Sequence, residues 1–366
     1  MSWSLLAPVA LVITLTAAGC SPAAPAPRAV QAPAAADAGG QPYLGRAGEA
    51  PIPVKVATCA LTGGFVHLYT AMEHGLFKKY GVNFEHIYIQ ASAPSLVALS
   101  ADEIQFLYCA ANATMPTLAA GIGGKLVAAP LVKLPYVLVS RKEIRRREDL
   151  RGKTIGIARA GNVSERLSRA VLKKFNVPEN EVTIRPVGGS QSERFQAMRM
   201  NLVQAIVVTP PLDVRAKNEG FNVLYRLIDL GVPFIYSSVH AGAKLLRERP
   251  DVVQRIVAAF AETIHFVEKN PDKAKAAVAK AMRTNDAEAL QASYDVYARE
   301  IVDRRMLIPD KAIAETIEQV RQSGGSVRRK PEELYDNAFT AHLEKSGFLK
   351  ELWGSEWPAA GALTAR

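Results

Sequence analysis

The sequence predicts an α/β protein with two mixed units and a helical carboxyl-terminal part. Short apolar strands alternate with polar turns and helices over residues 54–120, and the alternation starts again over residues 153–209. From Ala243 onwards, apolar residues recur with helical spacing. Because strand–turn–helix repeats favour parallel sheets with right-handed crossovers, we expect parallel-dominated sheets in both units.

The first unit opens with a strand, a glycine turn and a helix between Val54 and Tyr80. Residues up to Cys59 are mostly small or β-branched, as in a strand covered on both faces. Thr62-Gly63-Gly64 breaks this pattern, and from Phe65 the apolar spacing predicts one helix that ends at Tyr80. Such a turn directs free backbone N–H groups beyond the strand, which favours a ligand site. The alternative is that the glycines serve only the turn.

The remaining elements follow in chain order. The predicted strands are residues 82–90, 104–110, 153–158, 182–187 and 205–209, and residues 125–140 are predicted to be extended with interruptions at Pro130 and Pro135. The predicted helices are residues 92–100, 115–120, 164–175, 193–200, 251–269, 271–282, 286–302 and 309–322. The last four helices begin at Asp or Pro, which is typical of helix starts. We expect this helical part to pack on the first unit.

The composition is that of a globular protein of about two domains. The chain has 366 residues, of which 49% are hydrophobic and 22% charged. The net charge of +10 permits a nucleic-acid partner. However, the basic runs at residues 142–153 and 328–330 contain no interleaved aromatic residues, so we interpret them as solvated faces near an anionic membrane.

The amino-terminal residues indicate export. Residues 5–17 form an apolar run too short to span a bilayer, and Ala17-Ala18-Gly19 precedes Cys20. This resembles a bacterial lipoprotein signal, which implies a signal peptide over residues 1–19, acylation of Cys20 and a location on the periplasmic side of the cell envelope. A cleaved secretory signal without lipid is the alternative. Residues 20–51 read as a flexible Ala- and Pro-rich tether.

Beyond Cys20 the chain contains two cysteines, Cys59 and Cys109. Two are too few for a disulfide framework or a four-cysteine zinc site. Each ends an apolar strand-like run, so one interpretation is a pair of buried small hydrophobic residues. The other is a disulfide, if the two strands are neighbours in an oxidising compartment.

Five segments in a fixed order carry a family resemblance. They are residues 54–85 (VKVATCALTGGFVHLYTAMEHGLFKKYGVNFE), 147–167 (REDLRGKTIGIARAGNVSERL), 188–211 (GGSQSERFQAMRMNLVQAIVVTPP), 249–274 and 335–348. The chain resembles the type II periplasmic solute-binding proteins of ABC importers, in the branch that binds nitrate, sulfonates, taurine and pyrimidine precursors of thiamine.

This resemblance implies two α/β lobes joined by two hinge crossovers. Lobe 1 would combine residues 52–138 with 238–366, and lobe 2 would span residues 139–237. The ligand would be a small organic solute, anionic with a carboxylate or sulfonate, enclosed when the lobes close. The expected partners are an ABC permease with its ATPase, and the membrane through the lipid anchor. We expect a monomer that binds no nucleic acid.

The resemblance also places the ligand site at helix starts in both lobes. In lobe 1 the residues are Thr62, Gly63, Gly64, Phe65, Asn112, Ala113 and Thr114. The others are Tyr136, Gly161, Asn162, Ser164, Ser190, Gln191, Thr209, Asp213 and Phe234. Converging helix N-termini favour an anionic group, and three aromatic rings would hold an apolar or planar body. The simpler explanations are N-capping for Thr, Asn and Ser, solvation for Asp213 and a core position for Phe234.

The motifs of common enzymes are absent from the sequence, which contains no HExxH, GxSxG, GxxxxGK or CxxC pattern. Its six histidines have no metal-ligand spacing. We therefore expect a binding protein without catalytic residues, metal or cofactor. The alternatives are an enzyme on the same fold, acting on pyrimidine precursors or resembling a dehydratase, and a receptor for another transporter or a sensor.

Overall fold

The computed structural model describes residues 43–357 except residue 47. The predicted signal peptide, the predicted acylation site Cys20 and most of the predicted tether lie outside the described residues. Within the described part, the chain forms two five-stranded sheets surrounded by helices. Among these residues, no helix is long and apolar enough to cross a membrane.

The strands confirm most of the sequence predictions. They are β1 Ile52–Thr58, β2 Val82–Tyr88, β3 Phe106–Cys109, β4 Lys125–Leu131, β5 Val137–Ser140, β6 Thr154–Ile157, β7 Thr183–Pro186, β8 Ala205–Val208, β9 Asn222–Arg226 and β10 Ser237–Ala241. The last two strands were not predicted.

Fourteen α-helices lie in the described part of the chain. They are α1 Val66–Glu73, α2 Leu76–Lys79, α3 Ser92–Ser100, α4 Ala111–Ala119, α5 Val163–Phe175, α6 Gln191–Arg199, α7 Leu212–Asn218, α8 Ala243–Glu248, α9 Pro250–Lys269, α10 Pro271–Met282, α11 Ala287–Tyr294, α12 Asp310–Gln322, α13 Ala338–Lys345 and α14 Phe348–Trp353.

The strand order is β2-β1-β3-β10-β4 in the first sheet and β7-β6-β8-β5-β9 in the second. In the first sheet, β10 is antiparallel to both of its neighbours. In the second sheet the same is true of β5. Four strands of each sheet therefore share one direction, so the sheets are parallel-dominated as expected but mixed rather than fully parallel.

The reversed strands adjoin the two segments that connect the sheets. One connection runs from β4 to β5 through residues 132–136, and the other from β9 to β10 through residues 227–236. The strand β5 begins at Val137, two residues before the expected start of lobe 2. Each sheet with its helices is called a lobe below, lobe 1 for the first sheet and lobe 2 for the second.

The central strands of each sheet are buried on both faces. In β3, Phe106 and Tyr108 face one apolar cluster while Leu107 and Cys109 face another. In β8, neighbouring side chains likewise enter two separate clusters. This alternation explains why β3 and β8 are apolar throughout. The helical part packs mainly on the first sheet, through α9 and α10 against α1.

Two predicted helices are interrupted in the structure. The helix expected from Phe65 to Tyr80 is split into α1 and α2 at Gly75, which has φ 65°. A left-handed residue of this kind ends a helix, and glycine adopts it without strain. The helix expected over residues 286–302 continues beyond α11 as a π-helical turn, Asp295–Glu300.

Candidate functional site

A cavity of about 1100 Å³ lies between the two lobes. It is slightly larger than the range of about 300–1000 Å³ that is usual for small-molecule sites. Most of its wall comes from the residues that follow strands β1, β2 and β3 in lobe 1 and β6, β7 and β8 in lobe 2. The cavity therefore occupies the carboxyl-terminal edge of both sheets, where helices begin.

The lobe 1 wall is built from three helix starts. Thr62 accepts a hydrogen bond from the Gly64 backbone N–H at 3.2 Å and so caps the short turn that leads into α1. Asn112 lies in the first turn of α4 and lines the cavity. At the start of α3, the Ser92 hydroxyl donates to the Ala113 carbonyl oxygen at 2.7 Å and joins the two helix starts.

The lobe 2 wall contains the N-caps of α5 and α6. The Asn162 side chain accepts from the Ser164 backbone N–H at 2.9 Å. The Ser190 hydroxyl accepts from the Glu193 N–H at 3.1 Å, and the Glu193 carboxylate accepts from the Ser190 N–H at 2.9 Å, which forms a capping box. These side chains are needed by their helices, as the capping explanation predicts, and they also line the cavity.

Gln191 connects the start of α6 to the end of β8. Its side-chain oxygen accepts from the Thr209 N–H at 2.7 Å, and its side-chain nitrogen donates to the Thr209 hydroxyl at 3.0 Å. The next residue, Pro210, accepts a hydrogen bond at 3.1 Å from the hydroxyl of Tyr297, which belongs to the π-helical turn of the other lobe. This chain of contacts joins the two lobes beside the cavity.

Aromatic rings form an apolar part of the cavity wall. Phe65, Tyr136 and Tyr236 line it. Tyr236 stacks on Tyr297 with ring centroids 5.4 Å apart, and the two hydroxyls are 3.3 Å apart. Tyr136 meets Tyr236 edge to face at 6.2 Å. Burial raises the pKa of Tyr136, so its phenol is neutral at physiological pH.

Charged side chains reach the cavity only at its rim, among the lining residues that the structure describes. They are Arg215, Glu219 and Asp286. Arg215 and Glu219 pair with each other at 3.0 Å. Asp286 accepts from the Ala289 N–H at 3.0 Å as the N-cap of α11. The described residues contain no group of three or more His, Cys, Asp or Glu side chains arranged to hold a metal ion.

The structure brings ten of the sixteen predicted site residues to the cavity wall. They are Thr62, Gly63, Phe65, Asn112, Ala113, Tyr136, Asn162, Ser190, Gln191 and Thr209. The other six are Gly64, Thr114, Gly161, Ser164, Asp213 and Phe234, which do not line it.

Three of these six residues have structural roles in place of a cavity contact. The backbone of Gly64 packs under the ring of Tyr236. The Thr114 hydroxyl is buried and donates to the Ala111 carbonyl oxygen at 3.1 Å. The Ser164 hydroxyl accepts from the Ala158 N–H at 2.9 Å and so supports the turn before α5.

The other three lie beside the cavity wall or behind it. Gly161 is exposed in the turn before α5, with φ 73°. Asp213 lies in the first turn of α7, where burial raises the pKa of its carboxyl group. Phe234 packs edge to face on Tyr136 at 6.1 Å, in agreement with the core explanation.

Sequence reasoning missed the other residues that line the described cavity wall. These residues are Cys59, Ala60, Leu61, Ala91, Ser92, Ala110, Val163, Gly189, Ser192, Pro210, Pro211, Leu212, Val214, Arg215, Asn218, Glu219, Tyr236, Met282, Thr284, Asp286 and Ala289. Ala91 and Ser92 follow a predicted strand and start a predicted helix, so the rule used for Asn112 could have found them. The wall formed by α7 and the residues before α11 gives no comparable local signal.

A disulfide joins Cys59 to Cys109, with the two Cα atoms 5.6 Å apart. Their strands β1 and β3 are parallel neighbours, as the disulfide interpretation requires. The interpretation as two separate buried hydrophobic residues is therefore wrong. Because Cys59 lines the cavity and Cys109 ends the strand before α4, the bridge ties together two parts of the lobe 1 wall.

Comparison with known proteins identifies the family. Residues 63–274, more than half of the chain, match the model of the family described as NMT1/THI5 like. A protein of Brucella abortus named as a binding protein is 24% identical over 239 residues, which cover 64% of this chain and 73% of that protein. A protein of Brachyspira hyodysenteriae, named as a periplasmic binding protein of an ABC transporter, is 26% identical over 34% of this chain and 35% of its own length.

Solved structures of binding proteins share the fold. The periplasmic aliphatic sulphonate binding protein of Escherichia coli has a TM-score of 0.64 and 16% identity, covering 79% of this chain and 94% of its own. A sulfonate-binding protein of Methylobacillus flagellatus has a TM-score of 0.66 and 17% identity, covering 86% and 99%. These four proteins are named as binding proteins and not as enzymes. The chain belongs to the NMT1/THI5-like family and has the fold of the periplasmic solute-binding proteins.

Proposed function

We propose that this protein captures a small organic anion outside the cytoplasm and delivers it, as a monomer, to an ABC permease with its ATPase. One observation carries the proposal. The first turns of four helices, α3 and α4 from lobe 1 and α5 and α6 from lobe 2, line a single cavity between the lobes. The names of the family's relatives, which include a periplasmic binding protein of an ABC transporter, support the transport role.

An anion suits this cavity because helix starts present backbone N–H groups that have no carbonyl partner within the helix. The aligned peptide dipoles also place partial positive charge there. Among the described lining residues, the acidic side chains Glu219 and Asp286 already pair with a cation or cap a helix at the rim. A carboxylate or sulfonate would therefore meet donors without facing an unpaired carboxylate.

The body of the ligand would be apolar or planar. Phe65, Tyr136 and Tyr236 offer ring surfaces on the cavity wall. The volume of about 1100 Å³ exceeds what an inorganic anion such as nitrate fills, so we favour an organic carboxylate or sulfonate. The sulfonate-binding names of two structural neighbours agree with this class.

The proposed ligand-contact residues are the ten predicted residues that line the cavity. The lobes would close over the ligand by bending at residues 132–136 and 227–236, the two connections between the sheets. Contacts across the cavity already exist in this structure, because Tyr297 of the π-helical turn donates to the Pro210 carbonyl oxygen.

We also propose that the chain is held on the periplasmic side of the envelope by a lipid on Cys20. The small residues before this cysteine and the Ala- and Pro-rich segment after it support an anchor with a tether. Cells grown with labelled palmitate should incorporate label into the wild-type protein and not into the Cys20→Ala variant. Equal labelling of both proteins would contradict the anchor while leaving the capture of a solute untouched.

Thermal unfolding of the purified full-length protein tests the ligand class. The panel would contain carboxylates and sulfonates with alkyl or aryl bodies, their neutral amides, nitrate and pyrimidines. A ligand at about one hundred times its dissociation constant adds about 2.7 kcal/mol of stability, which raises the melting temperature by several degrees. We expect organic anions to give the largest shifts. Stabilisation by neutral compounds only would contradict the anionic ligand.

A further inference from the structure

Lobe 2 carries one short motif twice, at two helix starts that line the cavity. Residues 162–166 read NVSER and residues 190–194 read SQSER. In each copy the first residue is the N-cap and its side chain accepts a backbone hydrogen bond from the helix. Both N-caps lie on the cavity wall. The chain therefore presents two matching turns to the same ligand space.

In the first copy, the glutamate and the arginine hold the two backbone polar groups of Gly161. The Glu165 carboxylate accepts from the Gly161 N–H at 2.7 Å. The Arg166 guanidinium donates to the Gly161 carbonyl oxygen at 2.8 Å. Glu165 also pairs with Arg169 at 2.8 Å, so its charge is balanced by a different cation. The Arg166 guanidinium thus contributes a positive charge, and it donates its hydrogen bond to a neutral carbonyl.

The second copy repeats this division of roles. The Glu193 carboxylate accepts from the Ser190 N–H at 2.9 Å. The Arg194 guanidinium donates to the carbonyl oxygens of Gly188 at 3.4 Å and Gly189 at 3.2 Å, and its Nε has no hydrogen-bond partner among the described residues. Arg194 is 4% exposed. A buried guanidinium that contacts only neutral carbonyls is costly unless something else uses its charge.

Both arginines act on the same part of the cavity wall. Each guanidinium holds the carbonyl oxygen of the residue before a cavity-lining N-cap, and both charges oppose the burial that raises the pKa of the Tyr136 phenol. Burial also lowers the pKa of each guanidinium. Neither guanidinium forms an ion pair with a carboxylate in the part of the chain that the structure describes.

We propose that the duplicated motif is the anion-selecting half of the site. The helix starts at Asn162 and Ser190 would donate to the anionic group of the ligand, and Arg166 and Arg194 would supply the positive charge from behind the wall without touching the ligand. This inference rests on the proposed function, since it requires an anionic solute. It adds that lobe 2 holds the charged group, and that two arginines outside the cavity lining set the preference for an anion over a neutral compound of the same shape.

The balance of charge favours this role because the field of a buried group is screened less than that of an exposed one. Glu193 is exposed to solvent, whereas Arg194 lies beneath the wall. The guanidinium therefore outweighs the neighbouring carboxylate on the cavity side. The two arginines are positioning and charge-supplying residues, and their test needs a measurement that a merely structural role would not change.

The test compares an anion with its neutral isostere in calorimetric titrations of the full-length protein. The probes are benzenesulfonate with benzenesulfonamide, and benzoate with benzamide. The variants are Arg166→Gln, Arg194→Gln and the charge-keeping Arg166→Lys and Arg194→Lys. The matched controls are Arg147→Gln and Arg151→Gln in lobe 2, because both arginines are exposed, pair with glutamates and do not line the cavity.

We expect the wild type to prefer the anion, and each Gln variant to lower the affinity for the anion about tenfold with little change for the neutral probe. The Lys variants and both controls should keep the preference. An equal loss for both probes, or an unchanged ratio, would overturn the charge-selecting role and leave the proposed function standing. A wild type that does not prefer the anion in either pair would overturn both the inference and the anionic ligand.

Discussion

Replacing Gly64 by alanine should disturb the cavity wall, although Gly64 itself does not line the cavity. A Cβ atom at this position would lie 2.5 Å from Cε1 of Tyr236. Carbon atoms in contact prefer a separation of about 3.5–4.0 Å, so the ring must move by about 1 Å. Tyr236 is 8% exposed and stacked on Tyr297, so it has little room to move. Such overpacking costs about 1–3 kcal/mol.

Calorimetric unfolding of Gly64→Ala should therefore show a melting temperature lower by a few degrees, and ligand affinity should fall about tenfold as Tyr236 shifts. The matched control is Gly189→Ala in the opposite wall, where the nearest atom to the new methyl group would be the Glu193 carboxylate oxygen at 3.9 Å. This variant should keep its stability within about 0.5 kcal/mol. Equal stability of Gly64→Ala and wild type would refute the packing described for Tyr236.

Three further predictions concern stability. Burial lowers the pKa of His67 to about 3. Because unfolded histidine binds a proton below about pH 6.5, the wild type loses stability as the pH falls from there towards 3. In urea unfolding, the free energy of unfolding of His67→Leu relative to wild type should therefore be about 2 kcal/mol higher at pH 5 than at pH 7. The Cys59–Cys109 bridge joins residues that are 50 apart in sequence. Urea unfolding of the double alanine variant should therefore show a free energy of unfolding lower by about 4 kcal/mol, and a decrease below about 1 kcal/mol would count against the bridge. Arg226 of lobe 2 pairs with Glu300 of lobe 1, but their side chains are 51% and 33% exposed. Glu300→Gln should therefore lower the stability measured by thermal unfolding by less than about 1 kcal/mol. A larger loss would make this pair a main link between the lobes.

The sequence predicted the strands that are apolar on both faces and failed where a buried strand is polar. β10 reads SSVHA, and no hydrophobic pattern marks it as a central strand. Its polar groups are satisfied by neighbours distant in sequence, since Ser238 donates to the Cys109 carbonyl oxygen at 3.0 Å and the Ser237 hydroxyl lies 3.1 Å from that of Tyr108. Only the folded sheet supplies these partners, so local reasoning could not find the strand.

The same distinction explains which site residues were predicted. Asn162 and Ser190 could be found because a polar residue after a strand and before a helix indicates both a cap and a helix start at the sheet edge. The rim between α7 and α11 could not be predicted, because it depends on contacts between distant residues. One is the 2.6 Å hydrogen bond from Asn218 to Glu288, two residues that are 70 positions apart in sequence. The prediction of Gly64 as a site residue was wrong for a related reason, since this glycine is required by the close approach of Tyr236 rather than by a ligand.

The most direct test of the central claim is a calorimetric titration of wild type and Asn162→Asp with the organic anion that stabilises the protein most. Asn162 caps α5 and lines the cavity, and aspartate caps a helix equally well, so the variant should fold with unchanged stability. It adds a negative charge to the proposed anion site. We predict that affinity for the anion falls at least about tenfold while affinity for its neutral amide is unchanged. Unchanged or tighter binding of the anion would contradict an anion site between the lobes.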